Sequence, residues 1–240
     1  MIQVKDMSVF FDSKEILKSI NANFECGKVH AIFGLNGAGK TTFFNSLFGI
    51  CEFQGNVLFN DNNLSKKDIS FLETETFFYS FLTGREYLSI FQESLIPQLF
   101  DIEQLSKLFN IPLDVCIEKY STGMKKKIAL LGVIKLNRST YILDEPFNGL
   151  DVEATFVLKS VIRMLKDNGR TVFISSHIME SLIDVCDYFN ILENGQLVNF
   201  QDENAFVNHC ALIYDRINRQ VFESVFQQKK IGRASCRVRV

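Results

Sequence analysis

The sequence of 240 residues has little of several residue types that mark particular protein classes. It contains no Trp, three Pro and three His, and only nine of its 26 basic residues are Arg. The formal net charge is −2, so the basic excess of general nucleic-acid binders is missing. No apolar run approaches the ~18 residues needed to cross a bilayer, since the longest, 128–134, makes barely two helical turns. We therefore expect a globular chain that does not span a membrane and does not bind nucleic acid.

Cysteine is also sparse, and the thiols are far apart along the chain. The six Cys include no C-x-x-C pair and the three His are widely separated, so we do not expect a zinc site. Disulfide scaffolds are short, secreted and rich in Cys, which favours free thiols in a reducing compartment here. The N-terminal residues lack the basic region and apolar core of a secretory signal. Together these features predict a cytosolic protein.

Short runs rich in β-branched and aromatic residues alternate with stretches in which apolar residues have helical spacing. This alternation predicts an α/β fold with a parallel sheet and helical crossovers. The segment of about 77–136 differs, because it indicates several helices with almost no strand, and we predict an inserted helical subdomain there. The predicted strands are 2–11, 29–33, 69–72, 140–143, 171–175 and 189–192, and the predicted helices include 40–48, 153–165 and 178–186.

A phosphate-binding loop follows the predicted strand 29–33. Residues 34–41, GLNGAGKT, match G-x-x-x-x-G-K-[ST] between a strand and a helix. The glycines let successive backbone N–H groups point at phosphate oxygens, and the helix adds its positive dipole end. Lys40 would bridge the β- and γ-phosphates, and the Thr41 hydroxyl would bind Mg²⁺. The predicted nucleotide-binding residues of this loop are Asn36, Gly37, Ala38, Gly39, Lys40, Thr41 and Thr42.

An apolar run ends in two adjacent carboxylates at Asp144 and Glu145, which Pro146 follows. A strand buried between helices has no structural reason to end in two acids. Asp144 would hold Mg²⁺ through its waters, and Glu145 would polarise the attacking water as general base. Together with the phosphate-binding loop, this pair predicts a nucleoside-triphosphate hydrolase that uses Mg²⁺.

Further motifs follow in a fixed order, and with them the chain resembles the ATP-binding subunit of ABC transporters. Residues 120–124, YSTGM, resemble the signature LSGGQ, and 147–151, FNGLD, resemble the D-loop. Residues 174–177, ISSH, resemble the segment of the switch histidine, and Phe11 precedes Ile16 where the family places an aromatic that stacks on adenine. The resemblance covers about residues 1–200.

This resemblance implies a P-loop NTPase core with a parallel sheet, an N-terminal antiparallel β region and the helical subdomain of about 77–136. It also implies a dimer with a second ABC ATPase subunit, identical or different, in which Ser121 and Gly123 of one chain face the γ-phosphate held by the other. His177 would bind the γ-phosphate and hold Glu145 and the water in line. The implied catalytic residues are Glu145, His177 and Lys40.

Two positions depart from the family pattern. Thr74 stands where the family places a Gln that contacts Mg²⁺, so Thr74 is a candidate metal ligand beside Thr41 and Asp144. In the signature, Thr122 replaces a Gly and Met124 replaces the Gln. Because Lys40, Asp144, Glu145 and His177 are intact, we expect ATPase activity to survive. The Lys125–Lys127 run is interpreted as a solvated helix face.

The resemblance implies an ATPase that powers a separate membrane permease, docked around the aromatic stretch 77–93, from the cytoplasmic face of the membrane. The form of the signature resembles subunits of export-type permeases. Two alternatives stay open: a soluble ABC ATPase acting on ribosomes or DNA, and a regulatory nucleotide-binding module with weak hydrolysis. Residues 201–230 are expected to form a helical C-terminal extension. Residues 231–240, IGRASCRVRV, differ in composition from the rest and are expected to be a non-native tail.

Overall fold

A computed structural model describes residues 1–59, 62–63, 65–79, 81–91 and 98–234, and it describes side chains in the same ranges except at 62–63 and after 219. The chain divides into two units, Met1–Phe200 and Gln201–Val240. The strands are β1 (Ile2–Phe11), β2 (Lys14–Phe24), β3 (Val29–Phe33), β4 (Gln54–Phe59), β5 (Asn62–Asn63), β6 (Ile69–Leu72), β7 (Thr140–Leu143), β8 (Thr171–Ser176), β9 (Tyr188–Glu193) and β10 (Gln196–Phe200). The helices are α1 (Lys40–Phe48), α2 (Gly84–Ile90), α3 (Ile102–Leu108), α4 (Thr122–Lys135), α5 (Val152–Asp167), α6 (Glu180–Ile183) and α7 (Glu203–Ala234).

The larger sheet of the first unit has the strand order β10-β9-β3-β8-β7-β6. Strands β9, β3, β8, β7 and β6 are parallel, and β10 joins the edge as an antiparallel hairpin with β9. Every residue of β3, β7 and β8 is buried, as expected where helices cover both faces of a parallel sheet. The predicted α/β fold with a parallel sheet is confirmed. Because β7, β8 and β3 are neighbours, their carboxyl ends meet at one edge, where such sheets bind ligands.

The N-terminal strands form a second sheet, which is antiparallel and has the order β2-β1-β4-β5. Its apolar side shares one hydrophobic core with α1 and the larger sheet, built around Phe24, Phe43 and Phe173. The rings of Phe24 and Phe173 meet edge to face with centroids 5.0 Å apart. The core therefore holds α1, and with it the start of the phosphate-binding loop, against the central sheet. The predicted N-terminal antiparallel region is confirmed.

Residues 77–136 contain α2, α3, α4 and a short 3₁₀ turn at Ile117–Lys119. The described part of this segment has no strand beyond a single bridge between Thr83 and Cys116. A capping box starts α2, because Thr83 accepts from the Glu86 N–H while the Glu86 carboxylate accepts from the Thr83 N–H. Residue 80 and residues 92–93, which belong to the predicted docking stretch 77–93, lie outside the described residues. The helix predicted over 178–186 is wrong in its length, since only Glu180–Ile183 is helical.

In the second unit the described residues form α7, Glu203–Ala234, and Asp202 caps its start by accepting from the Ala205 N–H at 2.7 Å. Phe206, Cys210 and Ile213 are buried. Residues 235–240 of the expected non-native tail lie outside the described residues. Among the helices of the described residues, none is long and apolar enough to cross a membrane.

Candidate functional site

The phosphate-binding loop joins the end of β3 to the first turn of α1. Gly39 has φ of 103° and is the residue before α1, a backbone conformation that favours glycine. At Gly34 a Cβ would lie 2.7 Å from the Leu192 carbonyl oxygen, so a side chain there has no room. Local sequence thus fixes the loop: glycines allow its tight course, and the N-terminus of α1 points its free N–H groups toward it.

Lys40 begins α1 and turns its side chain back into the loop. Its Nζ donates to the Gly34 carbonyl at 2.7 Å and lies 3.1 Å from the Glu145 carboxylate. Both side chains are less than one-tenth exposed, at 7% and 8%. The cation is thereby held over the loop beside the acid at the end of β7, within reach of any anion bound by the loop.

Glu145 stands at the centre of a cluster of charged and titratable groups. His177 Nδ1 lies 3.1 Å from each of its carboxylate oxygens. The backbone of Glu145 has φ of 47°, a left-handed conformation that is uncommon for a residue with a side chain. Lys40, Glu145 and His177, the three predicted catalytic residues, are therefore brought together.

Asp144 is fully buried, and three hydroxyls donate to its carboxylate. Thr41 and Thr74 both donate to Oδ2, at 2.7 Å and 2.6 Å. Ser175 donates to the other oxygen, Oδ1, at 2.5 Å. Carboxylate and hydroxyl oxygens are hard ligands of the kind that Mg²⁺ takes, so the residues present fit this ion. The three candidate metal ligands therefore meet at one point, because the hydroxyls of Thr41 and Thr74 both contact Oδ2 of Asp144.

These groups line a cleft of about 390 Å³ that runs from the loop to Phe11. Phe11 stands at the end of β1, is half exposed and lines the cleft, as an aromatic that stacks on a base must. Ala38, although part of the loop, is not among the residues that line the cleft. The lining residues are Phe11, Ile16, Asn36, Gly37, Gly39, Lys40, Thr41, Thr42, Thr74, Glu145, Asn148 and His177.

The signature residues lie elsewhere, at the start of α4. Ser121 precedes the helix and its hydroxyl accepts from the Met124 N–H at 3.2 Å. Gly123 is packed so closely that a Cβ would lie 2.8 Å from the Gly149 carbonyl oxygen. Within the described chain, neither Ser121 nor Gly123 lines the cleft of Lys40 and Phe11. A single copy of the chain therefore does not bring the two predicted parts of the nucleotide site together.

The interpretation of Lys125–Lys127 as a solvated helix face is wrong for two of the three residues. Lys127 is buried and its Nζ donates to the Asp151 carboxylate at 2.6 Å. That hydrogen bond is the main reason why the pKa of Asp151 lies below its usual range. Lys126 Nζ lies 3.4 Å from the Asp144 carbonyl oxygen, and burial lowers its pKa. Tertiary packing of α4 against the ends of β6 and β7 turns these cations inward.

A second cleft, of about 580 Å³, lies beside the first. Thr74 and Asn148 line both, so they form the wall between them. Next to it, Phe77 and Phe81 are exposed by 76% and 75%, and the ring of Tyr79 contacts both at centroid distances of 5.3 Å and 6.0 Å. We call these three rings the aromatic patch. Phe78, by contrast, is half-buried and packs on Tyr87.

Two residues at the site were not predicted from the sequence. Ser175 contacts Asp144, and Asn148 lines the cleft through a turn in which its N–H donates to the Glu145 carbonyl at 3.3 Å. Both belong to motifs that the sequence shows. A serine in a strand or an asparagine in a loop is nevertheless too common to indicate a functional role by itself. Only the parallel pairing of β7 with β8 places Ser175 beside Asp144.

Comparisons with known proteins agree with this geometry. A sequence profile of the family described as ABC transporter matches residues 17–148. The chain is 30% identical over 215 residues to AlbC of Bacillus subtilis (strain 168), whose name describes an ABC transporter ATP-binding protein, over 82% of this chain and 90% of that one. It is 28% identical over 209 residues to the lantibiotic transport ATP-binding protein SrtF of Streptococcus pyogenes, over 82% and 89%. A solved structure of an ATP-binding subunit of an ABC transporter matches with a TM-score of 0.75 and 27% identity, over 83% and 89%.

Proposed function

Because the chain belongs to the family of ABC transporter ATP-binding proteins, which hydrolyse ATP for transport, we propose that it powers a separate membrane permease. The observation that carries the proposal is the cluster at the carboxyl edge of the larger sheet. There Lys40 and His177 each lie 3.1 Å from the Glu145 carboxylate. The Thr41 hydroxyl donates to the carboxylate of the adjacent Asp144 at 2.7 Å. Each has the chemistry that phosphoryl transfer needs, namely a cation, oxygen ligands for Mg²⁺ and a buried carboxylate base.

In the proposed mechanism the loop and Lys40 bind the phosphates of ATP, and Phe11 stacks on the adenine. Thr41, Asp144 and Thr74 would hold Mg²⁺, which when bound neutralises charge on the phosphate oxygens. The 2.6–2.7 Å hydrogen bonds from the two threonine hydroxyls to Asp144 Oδ2 support this assignment, because they gather all three ligands at one point. Asn36, Gly37, Ala38, Gly39 and Thr42 complete the proposed nucleotide-binding set.

Glu145 is the proposed general base. Its carboxylate is buried, and His177 contacts both of its oxygens, so the orientation of the carboxylate is fixed before water is activated. His177 would hold the water and the γ-phosphate in line with that carboxylate. Lys40, which lies 3.1 Å from Glu145, would bind the phosphate that the water attacks.

A second ABC ATPase subunit, identical or different, would complete each site with its signature helix. This is supported by the position of Ser121 and Gly123, which do not line the cleft of their own chain. The start of α4 offers free backbone N–H groups and a positive dipole end, which suit a γ-phosphate. Binding of ATP would then favour the closed dimer, and hydrolysis would release it.

The aromatic patch of Phe77, Tyr79 and Phe81 is the proposed contact with the permease. Large exposed rings in contact with one another are rare on a surface without a partner. The patch lies in the proposed helical subdomain, about 77–136 of a domain 1–200, which residues 201–230 extend. We propose an export-type permease and a position of the subunit at the cytoplasmic face of the membrane, without nucleic-acid partners.

The test of hydrolysis compares phosphate release by the wild-type chain and Glu145→Gln. We expect release by the wild type to depend on Mg²⁺ and to fall by about a hundred-fold or more in the variant, which keeps shape but removes the base. Release at the same rate by both proteins would contradict the proposed chemistry.

The permease is tested by detergent co-purification from membranes with tagged Glu145→Gln, which is expected to retain ATP and the closed dimer. We expect a multi-helix membrane protein in the eluate, and its loss when Phe77 and Phe81 are both changed to Glu. Phe78→Leu, inside the subdomain, is the matched control and should keep the partner. Equal recovery with the Glu variant would refute the docking surface, and a ribosomal or DNA-bound partner would refute the transport role.

A further inference from the structure

We propose that Ser175 is a positioning residue that fixes the metal-binding carboxylate and the general base at once, an inference that rests on the proposed ATPase function. Its hydroxyl donates to Asp144 Oδ1 at 2.5 Å and accepts from the Glu145 N–H at 2.8 Å. A hydroxyl can do both because it carries one donor and two acceptor lone pairs. One side chain therefore connects the two acidic residues of the site.

The sheet register explains why Ser175 reaches this position. Strands β7 and β8 are parallel, with Leu143 opposite Ile174, so the following residues, Asp144 and Ser175, are neighbours at the carboxyl ends. The side chain of the next serine, Ser176, has different partners, since its hydroxyl accepts from the Ile178 N–H at 3.0 Å and from the Ser181 hydroxyl at 2.9 Å. Although the two serines are adjacent and both buried, only Ser175 contacts the acidic pair.

The hydrogen bond to Oδ1 determines which oxygen of Asp144 faces the proposed metal position. With Oδ1 held by Ser175, Oδ2 points to the hydroxyls of Thr41 and Thr74. Asp144 and Ser175 have no exposed surface, so no water can take over the lost bond without a rearrangement. Partners of this kind orient a metal ligand, and their loss typically weakens metal binding.

The second hydrogen bond holds the backbone of Glu145, which has the left-handed φ of 47°. Such a conformation costs free energy in a residue with a side chain and persists only where neighbours fix it. The bond to Ser175 is one of these constraints, because it satisfies the Glu145 N–H in that conformation. Loss of the hydroxyl would therefore loosen the proposed base as well as the proposed metal ligand.

The test measures the Mg²⁺ dependence of Ser175→Ala, with Ser176→Ala as the matched control. In Ser175→Ala we expect the Mg²⁺ concentration for half-maximal ATPase rate to rise by about ten-fold or more, with a lower kcat. Binding of a fluorescent non-hydrolysable ATP analogue in EDTA should not change, since Lys40 and the loop are intact. Ser175→Thr keeps the hydroxyl and should restore the wild-type Mg²⁺ dependence. An unchanged Mg²⁺ requirement in folded Ser175→Ala, or an equal rise in Ser176→Ala, would overturn the inference.

Two further measurements keep the result decisive. If Ser175→Ala does not fold, Ser175→Cys takes its place, because a thiol of similar size is a weak donor and acceptor and should also raise the Mg²⁺ requirement. A wild-type requirement in that variant would overturn the proposal. If the wild-type chain releases no phosphate, the proposed function fails by itself. The inference is then judged by how far Mg²⁺ tightens analogue binding, which Ser175→Ala should reduce by about ten-fold and Ser176→Ala should not.

Discussion

From the ion pair between Lys40 and Glu145 we predict that Glu145, the proposed general base, weakens nucleotide binding. The two charges lie 3.1 Å apart, and both side chains are almost fully buried. At an effective dielectric constant of about 20, unit charges at this distance of 3.1 Å attract by about 5 kcal/mol before desolvation is subtracted. Desolvation and the Gly34 carbonyl contact that Lys40 retains reduce this to a net coupling of about 2 kcal/mol.

Lys40 cannot give its full charge to a phosphate while it is paired with Glu145. Replacing Glu145 by Gln removes the competing charge, and a coupling of ~2 kcal/mol corresponds to roughly thirty-fold tighter nucleotide binding. We expect this gain for a fluorescent non-hydrolysable ATP analogue measured in EDTA at fixed ionic strength. Asp184→Asn is the control: it makes the same acid-to-amide change in the ion pair of Asp184 with Lys159, whose Nζ lies 2.8 Å from the Asp184 carboxylate. It should leave the affinity unchanged.

A double-mutant cycle separates this effect from simple repulsion between Glu145 and the phosphates. Lys40→Met removes the cation, so in that background Glu145→Gln can only relieve repulsion. The gain from Glu145→Gln should therefore be clearly smaller with Met at position 40 than with Lys. An equal or larger gain in the Lys40→Met background would refute the argument. The same cycle on the free energy of unfolding without nucleotide should give a coupling of about 2 kcal/mol, and a value near zero would also contradict it.

Three further predictions concern stability and the proposed metal site. Burial lowers the pKa of His30, so the folded state binds this proton less readily than the unfolded chain does. The free energy of unfolding should therefore be constant at pH values above the usual pKa of 6.5 and decrease as the pH falls below 6.5. Urea unfolding at about pH 7.5 and about pH 5.5 should show that the wild type loses at most about 1.4 kcal/mol of unfolding free energy per pH unit through this group, a loss that His30→Phe should not show. The same pH dependence in both proteins would contradict the prediction. Gly34→Ala should cost about 1–3 kcal/mol of unfolding free energy and weaken analogue binding, because its Cβ meets the Leu192 carbonyl; full stability would exclude the clash. Thr74→Val should raise the Mg²⁺ requirement of the ATPase and Thr74→Ser should not, since only the hydroxyl contacts Asp144; equal values would remove Thr74 from the site.

The local sequence determined those parts of the site whose geometry is set by neighbours along the chain. The phosphate-binding loop is one, because its glycines, its lysine and the start of α1 lie within eight residues of one another. The acids at the end of β7 are another, since an apolar strand that ends in carboxylates is visible in the sequence itself. The alternation of strands and helices likewise predicted the parallel sheet, in which β3, β7 and β8 are buried over their whole length.

Tertiary structure alone decided how the distant parts meet. Thr41 and Asp144 are 103 residues apart in sequence, and they touch because β3 and β7 both flank β8. Sequence patterns gave no sign that Lys127 is buried against Asp151, or that Ser175 joins Asp144 to Glu145. Such contacts depend on strand order and register, which bring together side chains that are far apart in the sequence. The residues that flank each of them along the chain do not indicate the contact. The residue types of the site could therefore be identified from the sequence, whereas the hydrogen bonds that orient their side chains form only in the folded sheet.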